Sequence, residues 1–114
     1  MTVSVSIIIP VYNGQNTILK CLENIIKKNK KINKEIIVIN DGSKDKTAEI
    51  LKKVKGIKIF NLKKNKGVGY ARQYGANKAK YDLLCYIDAD VFISENSIKK
   101  LIKKLNSSSS IGSV

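Results

Sequence analysis

Two carboxylates one residue apart, Asp88 and Asp90, close the apolar run Leu83-Leu84-Cys85-Tyr86-Ile87. A run of β-rich apolar residues bounded by polar ones reads as a buried strand, so both acids emerge at its C-terminal end, where a sheet opens to solvent. Acids at i and i+2 repel unless a cation or a set of donors lies between them, and hard divalent ions such as Mg²⁺ or Mn²⁺ prefer oxygen ligands of this kind. Asp is also common in turns and helix caps, and a lone Asp-x-Asp is compatible with either use. A further acid, Asp41, follows the Ile/Val-rich run 35–40 in the same manner, and Arg72 is the single guanidinium of the chain.

The elements that must position these groups are legible from periodicity. Val3, Val5, Ile7 and Ile9 alternate with Ser4 and Ser6 and lead to Pro10, which lacks an amide hydrogen and should end the first strand. Further strands are predicted over 35–40, 57–62 and 83–87. A first helix, capped by Asn16 or Thr17, carries Ile18, Leu19, Leu22, Ile25 and Ile26 at helical spacing. A second, capped by Ser43 or Asp45, turns Ala48, Leu51 and Val54 inward and breaks at Gly56. In the third, the predicted inward residues Val68, Ala71, Gly75, Ala76 and Ala79 are small, so the helix can approach the sheet closely. Glycines at its start, Gly67 and Gly69, would let backbone amides approach a phosphate. Beyond the acids, Ser94 caps a predicted helix with the stripe Ile98, Leu101, Ile102 and Leu105, and 111–114 opens a further strand. Strand and helix alternate throughout, with strands apolar on both faces, which predicts an α/β fold: a mostly parallel, Rossmann-like sheet with helices on both sides.

Composition sets outer limits. The 114 residues fit one domain, 1–114, and 43% apolar residues can fill one core. No apolar run reaches membrane-spanning length and no signal peptide opens the chain, so it reads as cytoplasmic. Cys21 and Cys85 fall on a helix face and in a strand and read as reduced packing residues. The absence of histidine excludes Ser-His-Asp and Cys-His catalysis and most zinc sites within this chain. A net charge of +13 is compatible with nucleic acid or an anionic membrane surface. The lysines, however, cluster on the outer faces of helices, and one arginine with 6% aromatics is a poor kit for reading bases. No specific nucleic-acid partner is therefore expected, while peripheral contact with an anionic membrane is a secondary expectation.

Four motifs in order, Ser6-Ile7-Ile8-Ile9-Pro10-Val11-Tyr12-Asn13-Gly14, Glu35-Ile36-Ile37-Val38-Ile39-Asn40-Asp41-Gly42-Ser43 with Asp45 and Thr47, Asn65-Lys66-Gly67 with Ala71-Arg72, and Asp88-Ala89-Asp90, resemble the nucleotide-sugar-binding half of family 2 glycosyltransferases with the GT-A fold. The resemblance covers essentially the whole chain. It implies that Pro10 and Tyr12 lie against a nucleotide base, with Asn13 and Lys66 in the nucleotide-binding set. Asp41 would hydrogen-bond the base edge, and Arg72 would approach the base or diphosphate. Asp88 would contact ribose or metal, and Asp90 would help coordinate Mg²⁺ or Mn²⁺ on the diphosphate. The implied donor is a nucleotide sugar, a UDP-sugar by preference, and the acceptor a sugar or a lipid-linked sugar. The first and fourth strands should lie side by side, so that Pro10 and Asp88 flank one crevice. The chain departs from the family in length, since the half that carries the acceptor site and general base is missing after Val114. A truncated donor-binding domain of an inverting enzyme, prone to self-association, is the expectation. The alternatives are a stand-alone nucleotide-binding module and a basic nucleic-acid-binding protein.

Overall fold

The computed structural model describes residues 4–28 and 32–90. Within them, β1 (Ser4–Val11), β2 (Asn33–Asn40), β3 (Lys58–Asn61) and β4 (Leu83–Tyr86) alternate with α1 (Ile18–Lys28), α2 (Thr47–Lys52) and α3 (Val68–Lys78). The four strands form one sheet in the order β3-β2-β1-β4, and every pairing is parallel. The α/β architecture and the neighbouring first and fourth strands therefore match expectation. β3 is shorter than the predicted 57–62. The predicted helix after Ser94 and the strand over 111–114 lie outside the described residues.

Strand alternation sends side chains to two cores. Val5, Ile7, Ile9 and Val11 of β1, with Ile36 and Val38 of β2, pack against Ile18, Cys21, Leu22 and Ile25 of α1 and Leu51 of α2. On the opposite face Ile8, Ile37 and Ile39 meet Ala71 of α3, flanked by Phe60, Leu62 and Tyr74. Each fully buried isoleucine is worth about 1.5–3 kcal/mol relative to exposure. A surface ion pair contributes less than about 1 kcal/mol, so this sandwich rather than its lysines holds the fold together. Leu19 is 44% exposed and leaves the predicted stripe, because one residue after Ile18 is a rotation of about 100° around the helix. Small residues do bring α3 close to the sheet: a Cβ on Gly75 would sit 2.5 Å from Ile8 Cγ2. Val68, predicted to face inward, is 53% exposed at the helix start.

Pro10 is accommodated inside β1, which runs one residue beyond it, level with Ile39 of β2. The carbonyl of Ile8 faces β4, where it accepts the Ile87 N–H at 3.0 Å. Residue 10 faces the same side two positions on, past the last β4 pairing at Ile8–Tyr86, so its missing hydrogen removes no existing rung.

The N-terminal edge of the sheet is tied by a buried carboxylate that the alternation of β1 disguises. Glu35 is 7% exposed. It accepts hydrogen bonds from the Ser6 hydroxyl, from Lys58 Nζ at 2.7 Å and from the Lys80 amide at 2.6 Å. Ser6 in turn accepts the Tyr81 N–H at 3.2 Å. One acid thus joins three strands to the loop between α3 and β4. Burial alone would push its carboxyl up, but the hydrogen bonds from Lys58, Ser6 and Lys80, with the charge of Lys58, hold it below the ordinary glutamate range.

Candidate functional site

Because the strands are parallel, Asp41 after β2 and Asp88 after β4 open at the same edge of the sheet. At that end of the sheet lies a pocket of about 320 Å³ lined by Pro10, Val11 and Tyr12 at the end of β1, Asp41 after β2, and Asn65, Gly67 and Val68 at the approach to α3; Asp88 does not line it. Its volume is at the small end of ligand pockets, sufficient for part of a nucleotide. Tyr12 and Val68 are largely exposed and offer apolar surface at its mouth.

Asp41 forms the floor and is 3% exposed. Its Oδ1 accepts the Lys66 N–H at 2.7 Å and its Oδ2 the Gly67 N–H at 2.9 Å. Its own N–H donates to the Val11 carbonyl at 2.8 Å. The Gly67 N–H, expected to approach a phosphate, thus holds a carboxylate of the chain itself, together with the Lys66 N–H, both just ahead of α3. Gly42 (φ 71°) continues the turn, and a Cβ there would come within 2.5 Å of the backbone at Lys64 and Asn65. The left-handed conformation and the close approach together require glycine.

The opposite wall is laced to the same segment. Asn13 N–H donates to Ser43 Oγ at 2.9 Å, Gly14 N–H to Thr47 Oγ1 at 2.9 Å and Gln15 N–H to Asp45 Oδ2 at 3.2 Å. In return the Lys44 and Lys46 amides donate to Asn13 Oδ1 at 2.8 Å and Gln15 Oε1 at 3.1 Å. Asn13 adopts φ 51°, a conformation that Asn tolerates better than most residues. Asp45 also accepts the Thr47 N–H at 2.9 Å, but the N-cap of α2 is Lys46, whose side chain makes no capping bond, so neither predicted cap occupies that position. These bonds outweigh the residual burial of Asp45 and hold its carboxyl below the ordinary aspartate range. Ser43, the other predicted cap, serves the Asn13 loop instead.

At the same end of the sheet, Arg72 Nη2 pairs with Asp88 Oδ1 at 3.2 Å, both side chains about half exposed. Arg72 Nε is buried with no hydrogen-bond partner among the described residues. Continuing the Ile8–Tyr86 register by two residues brings Asp88 level with Pro10. Asp90 is exposed. Its charge, after burial, raises the Cys21 thiol to about 11, so Cys21 stays protonated and serves packing. Both cysteines are free and buried, as expected.

Of the predicted residues, Pro10, Tyr12 and Asp41 line one pocket, and Arg72 and Asp88 form a pair at the same sheet edge. Asn13 does not line the pocket and instead joins two loops. Lys66 contributes its amide, while its ammonium lies 5.9 Å from the centroid of the Tyr70 ring. Asp88 and Asp90 belong to no cluster of three metal-ligating side chains among the described residues. Sequence reasoning missed Val11, Asn65, Gly67 and Val68 as lining residues. The signal was present in the Asn-Lys-Gly turn, which had to close against something.

The family model described as glycosyl transferase family 2 matches residues 6–114. The chain belongs to glycosyltransferase family 2. Glycosyltransferase GlyA of Streptococcus pneumoniae is 35% identical over 104 residues, covering 89% of this chain and 15% of that protein. Poly-beta-1,6-N-acetyl-D-glucosamine synthase of Staphylococcus aureus is 33% identical over 113 residues, covering 96% of this chain and 27% of the synthase. The structure of S. aureus TarS 1-349 in complex with UDP superposes with a TM-score of 0.81 at 25% identity, over 92% of this chain and 32% of TarS. A complex of TarS 1-349 with UDP-GlcNAc superposes with a TM-score of 0.78. This family 2 chain therefore spans a third or less of these relatives. No helix among its described residues is long and apolar enough to cross a membrane.

Proposed function

We propose that this family 2 domain binds a nucleotide-sugar donor, by preference a uridine one, with the base against Pro10 and Tyr12 and the diphosphate toward Arg72 and Asp88. The observation that carries this reading is the pocket itself, lined by Pro10, Tyr12 and Asp41, with the lone guanidinium paired to Asp88 at the same end of the sheet. The buried, unpartnered Nε of Arg72 is a donor suited to an anionic ligand. The TarS complexes with UDP and UDP-GlcNAc support the choice of nucleotide.

A divalent ion fits the acids in one particular way. Two exposed carboxylates, Asp88 and Asp90, are too few for a self-sufficient cage. They suit Mg²⁺ or Mn²⁺ held by one or two acids and completed by ligand phosphates and water. Such an ion would neutralise charge on the departing diphosphate. The chain's own residues bind and orient the donor: Tyr12 and Val68 flank the pocket mouth, and Arg72 releases or shares Asp88 as the phosphates arrive. Asp41 is the sole described carboxylate lining the pocket, and its oxygens already accept two main-chain N–H groups. A general base for an acceptor hydroxyl therefore belongs outside the described residues, and this domain contributes donor binding rather than proton transfer.

Thermal unfolding with UDP, with and without Mn²⁺ and against a pyrophosphate control, tests the proposal. UDP at about 100 times its Kd should stabilise the fold by roughly 2.7 kcal/mol. The Mn²⁺-dependent part should vanish in Asp90→Ala. No shift at millimolar UDP, or an equal one from pyrophosphate alone, would refute it.

A further inference from the structure

We propose that the outer face of α3, with Phe60 of β3 beside it, is a docking surface for an anionic phospholipid bilayer. Charge is distributed unevenly along the chain. Residues 57–81, which form β3 and α3, hold six lysines and the single arginine but no acid, whereas α1 and α2 on the other side of the sheet each carry one, Glu23 and Glu49. The same segment is the aromatic one. Helix α3 buries Ala71 and Gly75 and leaves Tyr70 half exposed and Tyr74 partly so, their ring centroids 6.3 Å apart. Tyr74 meets Phe60 edge-on at 5.8 Å, so strand and helix share this face. Lys66 Nζ lies 5.9 Å from the Tyr70 centroid, and Lys78 Nζ lies 5.4 Å from that of Tyr74 and 5.6 Å from that of Phe60. A strip of rings with an ammonium at each end therefore runs the length of a helix of roughly 16 Å.

Such a strip suits the lipid interface. Tyrosine keeps its ring at the acyl boundary and its hydroxyl in water, and lysine stems lie along apolar surface while their ammonium groups reach phosphates. Other occupants fit less well. A second copy would set the same cations against one another. Protein interfaces enrich arginine and deplete lysine, and the one arginine here is paired with Asp88. A single nucleic-acid strand needs open ring faces on which to stack, and lysines already stand over Tyr70, Tyr74 and Phe60. The strip begins at Lys66, next to Gly67 and Val68 of the pocket, so a bilayer seated on it borders that pocket. The inference stands whatever the pocket holds.

Flotation of the chain with vesicles of phosphatidylcholine or of phosphatidylglycerol, at low and at physiological salt, tests the proposal. The chain should float with phosphatidylglycerol alone, and less as salt rises. The double variant Lys66→Gln/Lys78→Gln should lower the partition coefficient by about tenfold or more. Tyr70→Gln, which leaves the charge untouched, should lower it by about threefold or more through lost apolar burial. Lys20→Gln/Lys27→Gln removes the same charge from the exposed side of α1 and should change it by less than about threefold. All these side chains are exposed, and thermal unfolding of each variant checks that it is folded. Absence of binding to phosphatidylglycerol would overturn the proposal, as would unchanged binding of Tyr70→Gln. Equal losses in the two lysine pairs would assign binding to net charge rather than to this face, and so overturn it as well. Tighter binding to a single-stranded oligonucleotide than to phosphatidylglycerol, lost in Lys66→Gln/Lys78→Gln, would reassign the face to nucleic acid and refute the lipid reading.

Discussion

At the scale of single residues, acids with similar sequence surroundings do different work. Asp88 is exposed and paired with a cation, Asp41 is enclosed by amides, and Glu35 is a structural tie at the far end of the sheet. Replacing Glu35 with Gln should cost about 1–3 kcal/mol, the usual scale for losing hydrogen bonds to a buried charge, read by urea unfolding at pH 7. The pH dependence has a definite sign. Because the folded carboxyl lies below its unfolded value of about 4.3, its contribution is fully present above that value and disappears as pH falls through the lower, folded one. Urea midpoints of wild type should therefore fall between about pH 5 and 3 more steeply than those of Glu35→Gln. The positions of Asp41, Asp88 and Asp90 were legible because each terminates an apolar run. The use made of Asp41 was not, since its partners are main-chain amides, which every residue but proline carries. Ser6 misled in another way: it alternates with valine and isoleucine as an outward residue would, yet it is fully buried against Glu35.

At the scale of elements, the βα alternation and the two apolar faces could be read directly, because strand and helix periods in this chain agree with local propensity. Helix α3 shows where the reading stopped. Its small residues predicted close packing, but not that its start would turn Val68 toward a pocket or that Lys66, Tyr70, Tyr74 and Lys78 would follow one another at four-residue intervals along one face. Lys78 lies 5.4 Å from the Tyr74 ring centroid, and Tyr74 meets Phe60 edge-on at 5.8 Å. Two glycines of this helix give opposite predictions. Gly75→Ala gains helix propensity of about 1 kcal/mol, yet its methyl enters Ile8 Cγ2, and overpacking costs about 1–3 kcal/mol, so the net change is destabilising. Gly69→Ala meets nothing within 4 Å and should stabilise by up to about 1 kcal/mol. Guanidinium unfolding of the two variants checks the sign of each.

For the molecule as a whole, a net charge of +13 on 114 residues means that folding gathers like charges into a small volume. Salt shortens the Debye length from about 30 Å at 0.01 M to about 8 Å at 0.15 M, so screening should raise Tm over that range. A rise of about 4 °C would correspond to roughly 1 kcal/mol, and calorimetric scans in NaCl measure it. A falling Tm would mean that attractive pairs dominate the surface. The order β3-β2-β1-β4 also gives Pro10 a significance beyond its place in a strand. In a parallel ladder the rung after Ile87-to-Ile8 would run from the nitrogen of residue 10 to the carbonyl of Ile87, and an imide nitrogen has no hydrogen to give. Pairing between β1 and β4 can zip no further at that rung. The last rung of the β1–β4 ladder is thus set by a covalent stop in the backbone, just where Asp88 comes level with Pro10, independent of any side chain wedged between the strands.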